Sequence, residues 1–134
     1  MAGLSKTRGI LEEALRLARG SSSEEALTLL ESGLADARRA EDSEAVAIFA
    51  RSAGIISSNV GEFQRAIGYY SEAIERQPTD AFLWIALAEL HERSGEEGAA
   101  RDALTKCLEI ALLKEDSEIL AMLRKRGLGP DPDA

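Results

Sequence analysis

The side chains that could do chemistry in this sequence are few. They comprise one Cys, one His, a serine run and the adjacent carboxylates Glu12/Glu13, Glu24/Glu25 and Glu96/Glu97. General acid–base catalysis needs two carboxyl groups converging on one substrate, whereas neighbours on a helix point about 100° apart. The last two pairs also fall in expected first helical turns, where carboxylates offset the amide dipole. Ser21-Ser22-Ser23 lacks the base and oxyanion donors a nucleophile requires. Cys107 has no partner for an intramolecular disulfide and no cationic cluster beside it in sequence, which predicts a buried, inert thiol. One Cys and His91 do not make a metal site, and no Gly-rich phosphate loop is present. The expectation is a protein that is not an enzyme and uses no metal or cofactor, with His91 in a packing role beside one polar partner.

Composition narrows the partners. The chain has 134 residues, enough for one domain with a sizeable core and no disulfide or metal staple. It is 45% hydrophobic but only 4% aromatic, and Ala and Leu supply much of the apolar content, as helix-on-helix packing prefers. A formal net charge of −8 argues against nucleic acid and against an anionic membrane surface. The absence of a long apolar run and of a signal-peptide pattern predicts a soluble, cytoplasmic protein.

The elements that must carry these residues repeat. Trp84, Leu87, Ala88 and His91 form a W-x₂-L-A-x₂-H run, followed by Ala100-x₃-Leu104. Ala50, Ala53, Gly54 and Ser57 hold the same places earlier, followed by Ala66-x₃-Tyr70 and Pro78, with Gly54/Ala88 and Ala66/Ala100 both 34 residues apart. This pattern resembles the tetratricopeptide repeat, W-x₂-L-G-x₂-Y…A-x₃-F…P. A degenerate first unit precedes it, with Ala14, Ala26 and Leu30 in the places of Gly54, Ala66 and Tyr70. About six extra residues separate that unit from the next, and they are placed within 38–44 as a helix extension or a longer loop. The reading is three repeats, at residues 7–40, 47–80 and 81–114, a capping helix at 116–126 and a disordered tail at 127–134, all in one domain. Ser5 or Thr7 is expected to cap the first helix, Asp42 or Ser43 the third, Asp80 the fifth and Asp116 or Ser117 the last, which Gly127 ends. Ser22/Glu25 and Ser94/Glu97 read as capping boxes.

The resemblance implies an all-α fold of helix–turn–helix units stacked as a right-handed superhelix. It also implies a non-catalytic scaffold or adaptor whose concave groove binds a protein partner's peptide or helix. The groove positions map to Leu11 and Leu15, to Ile48, Arg51, Ile55 and Asn59, and to Phe82, Ile85, Glu89 and Arg93. The family subtype that clamps acidic chaperone tails uses Lys, Asn and Arg; Leu11, Leu15, Ser52, Phe82 and Ala86 stand there instead, so that subtype is not expected. Pairing of the same apolar face, or of an imperfectly covered end near Leu104–Leu113, with another copy, giving a homodimer, is the alternative.

Overall fold

The computed structural model describes the backbone of residues 2–129 and the side chains of residues 5–129. Seven helices follow one another: α1 (Ala2–Arg19), α2 (Ser23–Arg39), α3 (Ser43–Asn59), α4 (Phe63–Arg76), α5 (Ala81–Arg93), α6 (Glu97–Lys114) and α7 (Ser117–Lys125). No strand occurs among the described residues. Helices α1–α4 form one compact unit ending at Gln77, and α5–α7 a second beginning at Pro78.

In the first unit each helix packs on the next, and α1 also touches α3. The packing is set by small residues opposite rings. Gly33 lies under Phe49 and Gly54 under Tyr70; a methyl on either would come 3.0 or 2.9 Å from a ring carbon. Leu27, Leu30, Leu34 and Val46 fill the rest of this core and are almost wholly buried. The additional residues lengthen the helices, by seven in all, while the connection 40–42 is one residue shorter than 77–80. Helix α2 has 17 residues against 14 in α4, and α3 has 17 against 13 in α5.

Between α1 and α2, α2 and α3, and α3 and α4 the chain makes the same turn. Ser21, Glu41 and Gly61 have positive φ, and the next amide bonds the carbonyl five residues back: Ser22 to Leu17, Asp42 to Ala37, Glu62 to Ser57. These bonds satisfy carbonyls the helix ends would otherwise leave unpaired. Asp42 then caps α3 by accepting from the Ala45 amide at 3.1 Å, as Asp80 caps α5 through Phe82 and Asp116 caps α7 through Ile119.

Two cap expectations need correction. The Ser22 side chain makes no cap bond, and Ser94 closes the end of α5, the N-cap position of α6 being Glu96. The shared turn geometry fixes the backbone there without a hydroxyl. Helix α1 also starts upstream of Ser5 and Thr7, because Ala and Lys around them favour continued helix.

The second unit has its own core of Ala81, Ile85, Cys107, Ile110, Ala111, Ile119 and Leu123, flanked by Trp84, Leu104, Leu108, Leu120, Met122 and Leu128. The Trp84 indole donates to the Pro78 carbonyl at 2.8 Å, and Lys114 donates to the Thr79 carbonyl. Helix α7 ends in a Schellman turn: Gly127 has φ +80°, its amide bonds Arg124, and the Leu128 amide bonds Leu123. Of the expected disordered tail, residues 130–134 lie outside the described residues, while Leu128 packs on the core.

Ser57, which holds the family's tyrosine place, is fully buried with its hydroxyl unbonded. A buried unpaired hydroxyl costs about 1–3 kcal/mol. Ser57→Ala is therefore expected to raise the unfolding free energy by about 1 kcal/mol, measured by urea denaturation; a less stable variant would contradict the unpaired state.

Candidate partner-binding surface

Six of the ten expected groove residues lie on α1 and α3 of the first unit. Leu15 and Ile55 occupy equivalent register positions on these helices and remain 44% and 40% exposed. Leu11 and Ile48 are half-buried beside them, and Arg51 and Asn59 are exposed. The stripe is apolar at its centre and polar at its margins. In the second unit Phe82, Glu89 and Arg93 are exposed on α5, and Glu89 receives Arg126 at 3.3 Å.

Ile85 does not belong with them. It is 2% exposed, within the core beside Ile119 and Leu123 of α7. A groove position on α5 becomes a core position because the capping helix follows.

Several charged groups outside the stripe pair within the first unit. Glu31 accepts from Tyr69 and from Arg65, which also bonds Glu24 at 3.1 Å and Glu62 at 2.9 Å. Arg38 makes a two-pronged pair with Glu72, at 2.7 and 2.5 Å. The Tyr69 and Arg65 bonds hold the Glu31 carboxyl below its ordinary range, and Arg38 does the same for Glu72. These bonds tie α2 to α4, on other residues than the Leu15–Ile55 stripe. Burial pushes the Cys107 thiol up to about 11, and the thiol donates to the Ala81 carbonyl at 3.3 Å. A thiol so placed is a packing residue rather than a nucleophile. His91 Nδ1 lies 3.5 Å from Glu96 Oε1, a single polar partner. Among the described residues, no group of three or more His, Cys, Asp or Glu is arranged to hold a metal ion, and no helix is long and apolar enough to cross a membrane.

A second concavity was not expected from the sequence. Ala100, Arg101, Leu104, Thr105 and Leu108 of α6 form one wall of a groove of about 450 Å³, with Arg126 and Leu128 opposite. The signal for it was the tetrapeptide Glu-Asp-Ser-Glu, which stands both at 41–44 and at 115–118. It starts α3 and α7 through the same turn, with Glu41 and Glu115 both at φ +53°. Helix α7 is thus α3 cut short, and the groove lies beside the cut.

This architecture of consecutive packed helix pairs is a tetratricopeptide-repeat-like fold. No protein-family model matches the sequence, and no curated protein does. Among solved structures the chain is similar to the TPR domain of Arabidopsis FLU, with a TM-score of 0.70 and 20% sequence identity, over 85% of this chain and 99% of that one. At that identity the likeness is one of fold.

Two predictions follow from these placements. Ile85→Asp buries a carboxylate in the α5–α7 core and should abolish cooperative unfolding, whereas Ile55→Asp should leave the melting curve nearly unchanged; circular dichroism melts separate them. The second concerns acid. Glu31 and Glu72 have folded pKa values below the ordinary 4.5, so their contribution is present above that value and lost as pH falls through the folded ones. Each exposed pair is worth at most about 1 kcal/mol. The Glu31→Gln/Glu72→Gln double variant should show a shallower stability loss below pH about 4.5 than the parent; parallel curves would contradict the pairing.

Proposed function

We propose that this chain is a non-catalytic adaptor of the cytoplasm that binds an apolar or amphipathic segment of a partner protein on the exposed α1–α3 stripe of its first unit. The carrying observation is the pair Leu15 and Ile55. Two large apolar side chains at one register position of neighbouring helices, both exposed, form the centre of a contact patch rather than scattered surface leucines. Helices held by buried ring contacts would present that stripe already ordered, which lowers the entropy lost on binding. Arg51 and Asn59 at its margin would orient the bound segment. The fold's likeness to a TPR domain agrees with an interaction role, and the acidic composition with protein rather than nucleic acid as the partner.

A second reading rests on Leu113, which is 86% exposed at the end of α6, next to Leu112 at 46%. Pairing of this end with another copy would cover both. Light scattering across a wide concentration range distinguishes the readings: a constant monomer mass favours the partner-binding stripe, and a rising mass that Leu113→Asp abolishes favours the dimer.

The stripe itself is tested with Leu15→Asp/Ile55→Asp used as bait beside the parent protein. The double variant should remain folded and lose any partner the parent captures. Unchanged capture by the folded variant would overturn the assignment.

A further inference from the structure

We propose that the groove between α6 and α7 is a second docking site, which takes an amphipathic helix carrying a carboxylate in its apolar stripe. The first unit supplies the template. There, the turn that starts α3 leads to a full-length helix, and α4 packs on that helix and pairs with α2. In the second unit the same turn starts α7, but Gly127 stops it after nine residues. Leu123 and Leu128 seal its end, and the place of the rest of α3 and of α4 is left as the groove.

The lining has been changed in a way that specifies what fits. Register places Arg101, Leu104 and Leu108 of α6 where α2 has Leu27, Leu30 and Leu34, all three buried there. The two leucines are kept, half-buried, while Leu27 is replaced by an exposed guanidinium. No hydrogen bond or ion pair engages that guanidinium among the described residues. Of the other charges of the groove, Glu92 is held by Arg126 at 2.8 Å, and Glu97 lies in the first turn of α6, where the helix dipole favours a carboxylate. Where α2 offers Glu31 and Arg38 to α4, α6 offers Thr105 and Leu112. An incoming helix therefore meets leucines along the wall and one unmatched cation among them. Apolar side chains on Leu104, Leu108 and Leu112 with a carboxylate on Arg101 satisfy every group the wall presents. A helix like α4, which pairs with α2 through Arg65 and Glu72, would find Thr105 and Leu112 in place of both partners.

The test uses the whole chain and a labelled synthetic amphipathic helix of leucine and alanine with one glutamate in its apolar stripe, beside a twin with lysine there. Fluorescence anisotropy should show the glutamate helix bound in preference to the lysine helix. Arg101→Glu leaves an exposed position exposed and should weaken the glutamate helix by about tenfold or more while improving the lysine helix. Amide chemical-shift changes should map to α6 and α7, and Leu15→Asp/Ile55→Asp should bind the probe as the parent does. That control separates this site from the α1–α3 stripe. No binding of the glutamate helix, equal binding by Arg101→Glu, shifts confined to α1 and α3, or α6 covered by a second copy of the chain would each overturn the proposal.

Discussion

The contact on which the rest of this structure depends is a small residue on one helix receiving a large side chain from the next. Gly33 under Phe49 and Gly54 under Tyr70 are the clearest cases, each sixteen residues apart. The same spacing separates Ala14 from Leu30, Ala88 from Leu104 and Cys107 from Leu123, all buried or half-buried. Each small residue lets two backbones approach, and each large one fills the space that approach encloses. The spacing follows from a short turn of fixed geometry joining consecutive helices, so the turn and the contact specify one another. The chain divides into its two units at Gln77–Pro78.

The turns show how much strain the packing overrides. Ser21, Glu41 and Glu115 adopt a left-handed backbone that costs an L-residue about 1–2 kcal/mol. Local preference alone would place Gly there, as at Gly61 and Gly95. The hydrogen bonds of the Schellman-type closure and the burial that follows hold the geometry regardless of the residue. The same closed turn precedes α2, α3 and α7, and a side-chain cap is added only where an aspartate follows it. Asp42 and Asp116, like Asp80, accept a specific amide at the start of their helices, while Ser22 does not.

The helices and their pairing were legible because the small-to-large register is a property of spacing, and spacing survives the loss of individual consensus residues. The surface was less legible. Leu15 and Ile55 read as groove residues and are exposed; Ile85 read the same way and is core. In register Ile85 stands where α3 has Arg51, so the two helices do differ there, but what covers the position lies elsewhere in the sequence. The difference is made by Ile119 and Leu123, more than thirty residues on, which close over Ile85. Exposure is a tertiary quantity, set by what a helix meets rather than by its own pattern. Leu128 was misjudged for the converse reason. A Gly- and Pro-containing end reads as tail, whereas Gly127 turns the chain so that Leu128 returns to the core.

The repeated Glu-Asp-Ser-Glu carries this argument furthest. Identical residues start α3 and α7 through the same turn, and although the sequences then diverge, both stay helical until α7 meets Gly127. In α3 the chain continues through Ala53 and Gly54 to the contact with Tyr70. In α7 the corresponding places are Gly127 and Leu128. A left-handed glycine stands for a buried alanine, and a large side chain stands where a small one would admit the next helix. Both substitutions oppose a further repeat: the first ends the helix, and the second occupies the space of the incoming ring. The end of α7 is thus written in the same small-to-large code as the repeats themselves, with the sizes reversed.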